Sequence, residues 1–113
     1  MSKNNTFEAE QLTDAAYYIL LSLITKRHGY VIMQYIDQLT DGLISIGPAT
    51  LYTLLKKMKL SGLIEQVDDL NDRKKQYHIT GEGLLMLNNE IKRREKMVAH
   101  GLQIINAYER MER

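Results

Sequence analysis

Cysteine and tryptophan are absent from this chain, and proline and phenylalanine each occur once. Without cysteine there is no disulfide, no thiolate nucleophile and no zinc site that relies on sulfur, and a reducing compartment is permitted. No apolar run approaches the length of about 20 residues needed to span a bilayer. Residues 1–10 are too polar for a secretory signal, so the expected location is the cytoplasm. His28, His78 and His100 are far apart and show no H-x₃₋₅-H spacing, so no metal or other cofactor is expected. There is no Gly-x-Ser-x-Gly, Walker loop or pair of carboxylates in a catalytic arrangement, and no enzymatic activity is expected. A net charge of +1 gives no global basic signature. A nucleic-acid surface would have to come from segregation of charge along the chain.

That segregation is present. Three lysines and no acid lie between Ser45 and Lys59, and Arg73-Lys74-Lys75 forms a second basic cluster, whereas Glu8, Glu10 and Asp14 sit near the start. With 113 residues, 44% of them hydrophobic, the chain suits one globular domain. Thr13 can cap a helix running through Ala16, Leu20, Leu23 and Ile24 and stopping around Lys26. Gly29 and Tyr30 open a second, with Ile32, Ile36 and Leu39 on one face, ending near the Asp41-Gly42 turn signal.

The third helix carries most information. Gly47 and Pro48 set its start, since proline fixes a helical φ and lacks only an N–H that a first turn leaves unpaired. Leu51, Leu54, Leu55 and Met58 form one apolar stripe, leaving Thr50, Tyr52, Thr53, Lys56, Lys57 and Lys59 around the rest. Lysine and tyrosine suit phosphates, and threonine suits phosphates or base edges. A solvated surface helix is the alternative for this segment taken alone.

Gly62 is a natural terminator for that helix, and Leu63, Ile64 and Val67 suit a short strand. Residues 68–72 read as a turn rich in Asp and Asn. A strand follows in which Lys75, Tyr77 and Ile79 alternate with Lys74, Gln76 and His78. Of the histidines, His28 is expected to pack or cap near the second helix, and His78 is a weak candidate for a phosphate contact. Thr80 then caps a last helix. The sum is mainly α with a small β-hairpin: a polar arm over 1–11, a winged helix-turn-helix over 12–80, and a long helix over 81–113. Helix order and charge placement agree that the third helix faces a polyanion.

Thr80-Gly81-Glu82-Gly83 superficially resembles a nucleotide loop but lacks a third glycine and a parallel sheet, so it reads as a flexible helix start. The last helix would run about 45 Å, longer than so small a domain can cover. Leu84, Ile91, Val98 and Ile105 recur at seven-residue steps, and Leu87, Leu102 and Tyr108 broaden the stripe. These seven are the expected dimer interface; folding back onto the same domain is the alternative. Lys92-Arg93-Arg94-Glu95-Lys96 reads as polar exterior.

His28-Gly29-Tyr30, Gly47-Pro48-Ala49-Thr50-Leu51-Tyr52, Gly62-Leu63-Ile64-Glu65 and Arg73-Lys74-Lys75-Gln76-Tyr77-His78-Ile79-Thr80, in that order, resemble the PadR family of bacterial transcriptional regulators, in its short subgroup with a single C-terminal helix. The resemblance covers the chain from about Leu12. It implies a dimeric winged-helix repressor that leaves operator DNA on binding a small molecule, phenolic or drug-like. Tyr30, Thr50, Tyr52 and Lys56 would lie at or near DNA, with Lys74 and Lys75 on the wing. Taking resemblance and residue pattern together, the DNA-contacting set is Tyr30, Ser45, Thr50, Tyr52, Thr53, Lys56, Lys57, Arg73, Lys74 and Lys75. Val31 stands where the family often has glycine, and Gln76 replaces a common aromatic. The stacking of flat ligands on a tryptophan, known in this subgroup, cannot carry over to a chain without tryptophan. Phe7, Met97 and Tyr108 are candidates for a pocket between subunits, with plain packing as the alternative. A winged-helix adaptor that binds another protein through its long helix is the competing function.

Overall fold

The computed structural model describes residues 11–68 and 74–112. The element order is α1 (Asp14–Ser22), β1 (Arg27–His28), α2 (Gly29–Leu39), α3 (Pro48–Leu60), β2 (Ile64–Asp68), β3 (Lys75–Ile79) and α4 (Gly81–Met111). This is a mainly helical winged helix with a small antiparallel sheet. The expected polar arm lies outside the described residues, apart from Gln11.

The helix starts behave as their sequences dictate. Thr13 Oγ1 accepts from the Ala16 N–H at 3.1 Å, and Thr80 Oγ1 accepts from the Gly83 N–H at the same distance. Each side chain satisfies a first-turn donor that has no partner within its own helix. Pro48 occupies the first turn of α3 after Gly47, as expected. At the other end of α3, Gly62 has φ +79°. Its N–H bonds Lys59 O at 3.2 Å and the Leu63 N–H bonds Met58 O at 2.9 Å, a glycine-closed end that delivers the chain into β2.

Leu12, Ala16, Ile19, Leu20, Leu23, Ile32, Ile36, Leu51, Leu55, Met58, Ile64, Tyr77 and Leu87 belong to one continuous core. Three expectations need correction. First, α1 stops at Ser22, and Ile24 is 49% exposed. The chain leaves the helix early because Leu23 O takes the Ile79 N–H at 2.9 Å, tying this segment to the sheet. Second, Leu39 is 52% exposed, beyond the last turn of α2 that reaches the core. Third, the segment between α1 and α2 is a strand rather than a link: Arg27 pairs with Tyr77 and His28 with Gln76, so β3 is central in the order β1-β3-β2. Arg27 is held there by Nε donating to Ser22 O at 2.7 Å and by its guanidinium 3.9 Å from the centre of the Tyr35 ring.

Gly83 is a packing requirement, which corrects its reading as part of a flexible helix start. A Cβ there would collide with the Leu63 carbonyl and the Ile79 side chain. The first turn of α4 thus lies directly on the backbone leading into β2. Thr80 adds a bond from Oγ1 to Gly62 O at 2.6 Å and one from its N–H to Leu63 O at 3.0 Å.

Beyond this turn α4 stays on the domain through Met86, Leu87 and Ile91. Leu87, expected at a dimer interface, is 2% exposed and belongs to the core, and Ile91 is half-buried against it. The core of their own domain, to which α1 and α4 both contribute, covers them first. The run from Lys92 to Lys96 is not uniformly exterior either. Glu90 is fully buried, and both Arg93 and Arg94 fold back on it: Arg93 Nη2 and Arg94 Nε each donate to Oε2 at 2.6 Å, and Arg93 Nε donates to Oε1 at 3.1 Å. The Leu12 N–H donates to Oε1 at 3.2 Å, while Arg94 Nη2 donates to Leu12 O at 3.0 Å. Arg94 also pairs with Asp14 at 2.9 Å and lies 4.4 Å from the Tyr17 ring centre. A lone buried carboxylate would be strongly unfavourable, and this set of donors supplies the compensation. The Arg93 hydrogen bond, with Arg94 and the Leu12 N–H behind it, outweighs burial and holds the Glu90 pKa down to about 2.

From Lys96 onward α4 leaves the domain; Met97, Val98, Leu102, Ile104, Ile105 and Tyr108 are exposed on it, as is Leu84 near its start. No helix is long and apolar enough to cross a membrane among the described residues.

Candidate nucleic-acid interface

Leu51, Leu55 and Met58 are buried, and Leu54 is half-buried at the edge of that face. At 3.6 residues per turn the opposite side of α3 centres on Thr53, flanked by Thr50 and Lys57 on one side and by Lys56 on the other. All four are exposed, and α3 has no acid in its sequence. The middle of this face therefore offers a hydroxyl and a methyl, and its edges offer ammonium groups, a pattern suited to base edges flanked by phosphates.

Tyr52 points from α3 toward the sheet. Its hydroxyl and ring edge press on Gly29, leaving no room for a side chain at the start of α2. His28, Gly29, Tyr30, Val31, Tyr52, Lys74, Lys75 and Tyr77 line a half-open cleft of about 390 Å³. Four expected contact residues, Tyr30, Tyr52, Lys74 and Lys75, thus meet where α2, α3 and the wing converge. Thr50 and Thr53 instead line a shallow depression of about 420 Å³ beside Thr13 and Ala15 at the start of α1. Ser45 is exposed in the loop before α3 and joins neither group.

Several side chains have roles that the sequence did not announce. Lys59 Nζ donates to Gln66 Oε1 at 3.0 Å, and Gln66 Nε2 lies 3.4 Å from Asp68 Oδ1, so this lysine ties α3 to β2. His78 faces Glu65 across the two strands at 3.7 Å, beside an acid and not an open anion site. His28 occupies the N-cap position of α2 without making a side-chain cap; its Nδ1 lies 3.3 Å from Lys75 O. Tyr77 is buried, and burial, with the nearby Tyr52 adding to it, pushes its phenol pKa up. Together with Tyr52 it lines the cleft. The alternation of the strand signalled that Tyr77 faces inward, but not which residue would cover it. Val31, where glycine is common in the family resembled, lines the cleft, and Gln76 sits mid-sheet between His28 and Val67.

Arg73 and Phe7 lie outside the described residues. Met97 and Tyr108, the other two candidates for a ligand pocket, are exposed on α4, and Met97 Sδ accepts from Arg93 Nη1 at 3.1 Å. No cluster of His, Asp or Glu able to hold a metal ion occurs among the described residues.

Solved structures share this architecture. A PadR-family regulator from Eggerthella lenta is 27% identical, with a TM-score of 0.61, over 78% of this chain and 73% of that one. Bacillus subtilis PadR, solved in complex with operator DNA, is 26% identical over 69% of this chain and 46% of that one, with a TM-score of 0.60. A transcriptional regulator from Clostridium thermocellum is 24% identical with a TM-score of 0.61, covering 84% and 91% of the two chains. Among curated proteins no sequence match was found. Residues 19–89, from the middle of α1 to the third turn of α4, match the transcriptional regulator PadR-like family, and the chain belongs to that family: it is a transcriptional regulator, not an enzyme.

Proposed function

We propose that this regulator is a homodimeric repressor that binds operator DNA through α3 and the wing and leaves it on binding a small molecule, phenolic or drug-like. It acts in the cytoplasm, where bacterial operators are. The observation that carries the DNA-binding part is the acid-free outer face of α3, with Thr50, Thr53, Lys56 and Lys57 exposed together, next to a cleft that gathers Tyr30, Tyr52, Lys74 and Lys75. Ser45, exposed in the loop before α3, and Arg73 are further proposed contacts to DNA. Bacillus subtilis PadR, which binds operator DNA, has a similar fold.

The dimer is supported by the apolar stripe left in water on α4: Val98, Leu102, Ile105 and Tyr108, with Leu84 nearer the domain. Burying each large aliphatic of that stripe is worth about 1.5–3 kcal/mol, so pairing two copies is strongly favoured. A twofold dimer places its recognition helices on half-sites about 34 Å apart, or a multiple of that distance. Met97 and Tyr108 on the paired helices are the proposed ligand contacts, with Phe7 as a third.

Selection from random duplexes tests this. The expected product is a pseudopalindrome bound with an affinity that falls steeply as salt rises, because lysine–phosphate contacts release counterions. Failure to enrich any sequence would refute operator recognition. Release is tested by titrating phenolic compounds into the complex and following fluorescence polarisation; an operator complex indifferent to all of them would remove the effector from the proposal.

A further inference from the structure

The hub around Glu90 is more than packing needs. Met86, Leu87 and Ile91 already hold the start of α4 on the domain, and Gly83 seats its first turn on the Leu63 backbone. Replacing a buried ion cluster by apolar side chains of similar volume is often neutral or stabilising. What charged groups add is direction. The Glu90 carboxylate is fixed by two guanidinium groups from its own helix, and the hub then grips both backbone polar groups of Leu12, the N–H through Glu90 and the C=O through Arg94. Arg94 further engages Asp14 and Tyr17 of α1. These contacts cross from α4 to α1 and to Leu12 just ahead of it, where α4 last has buried residues before its exposed stripe begins. A small rotation of α4 about its axis would break several of them together.

We propose that Glu90 and Arg94 are positioning residues for operator recognition. By locking the angle between α4 and the winged helix, they set the separation of the two recognition helices and hence the half-site spacing that the dimer accepts. This rests on the dimeric DNA-binding reading above. Neither residue reaches DNA in this account; both act through the rigid connection from α4 to α1 and on to α3 through the shared core.

The chain has no cysteine, so Leu60→Cys, at the exposed end of α3, gives one labelling site per subunit. Pulsed electron–electron resonance between two nitroxides there reports the distance between recognition helices without DNA. In the otherwise unaltered dimer the distribution is expected to be narrow. Glu90→Gln, which keeps the shape but removes the charge, is expected to broaden or shift it. The same variant should lose about tenfold in affinity for the selected operator. Its preference among operators with one or two base pairs inserted between half-sites should flatten, and weak binding to unrelated DNA should not change. A folded Glu90→Gln dimer with the original distance distribution and the original spacing preference overturns the proposal. Should Glu90→Gln not fold, Arg94→Gln, which leaves Glu90 paired with Arg93 and the Leu12 N–H, must show the same broadening, and an unchanged distribution there overturns it equally. An unaltered chain that is monomeric or selects no operator refutes the functional reading itself, a failure visible before any hub variant is compared.

Discussion

Two side chains concentrate opposite kinds of information. Tyr52 is half exposed and touches the start of α2, so its removal takes a contact from the proposed DNA face and a brace from the helix pair. Tyr52→Ala is expected to weaken operator binding by about tenfold or more while leaving a folded dimer, measured by polarisation and sedimentation; undiminished affinity would remove Tyr52 from the interface. Glu90 is silent on the surface and matters for stability. Because the fold holds its pKa down to about 2 from the ordinary 4.5, the folded state gains from its ionisation above about pH 4.5 and loses that gain as pH falls toward 2. Thermal unfolding between pH 6 and 2.5 should therefore show a decline that is shallower in Glu90→Gln, which has no proton to take up. Equal slopes would mean that folding does not lower the Glu90 pKa.

At the scale of elements, the close seat of α4 is the sharpest test of packing. Gly83→Ala sets a Cβ against the Leu63 carbonyl, a backbone atom that cannot swing aside, and is expected to destabilise by about 1–3 kcal/mol in denaturant unfolding. A neutral effect would show that the start of α4 can slide. Elements whose cause is local were legible in the sequence. The caps at Thr13 and Thr80, Pro48 opening α3, the Asp41-Gly42 turn and the termination at Gly62 all follow from backbone chemistry within a few residues. Elements decided by distant partners were not. β1 is two polar residues with no period of their own, and it exists because β3 has a free edge. Arg93 and Arg94 look like surface because Glu90, their neighbour on the same helix, is buried only once the domain folds, and Leu12 and Asp14 meet them only then. Leu87 shares the spacing of the exposed stripe, and only the packing of α4 on the domain assigns it to the core. At the candidate site the acid-free face of α3 could be read directly, whereas the meeting of Tyr30, Tyr52 and the wing lysines in one cleft required the tertiary arrangement.

For the whole molecule, the family is shown by the winged-helix segment, and the exposed part of α4 is what would make it a regulator of paired sites. Leu102→Glu puts a charge in the middle of the stripe left in water and is expected to yield monomers by sedimentation while the winged helix keeps its circular dichroism. A dimer that survives this change would mean that another surface holds the copies together. The most direct test of the central claim is hydroxyl-radical footprinting of the selected operator. The account predicts two protected patches on one face of the duplex, centred about one helical turn or a multiple apart, and loss of both in Leu102→Glu at the same protein concentration. A single patch, or two that persist in the monomeric variant, would contradict it.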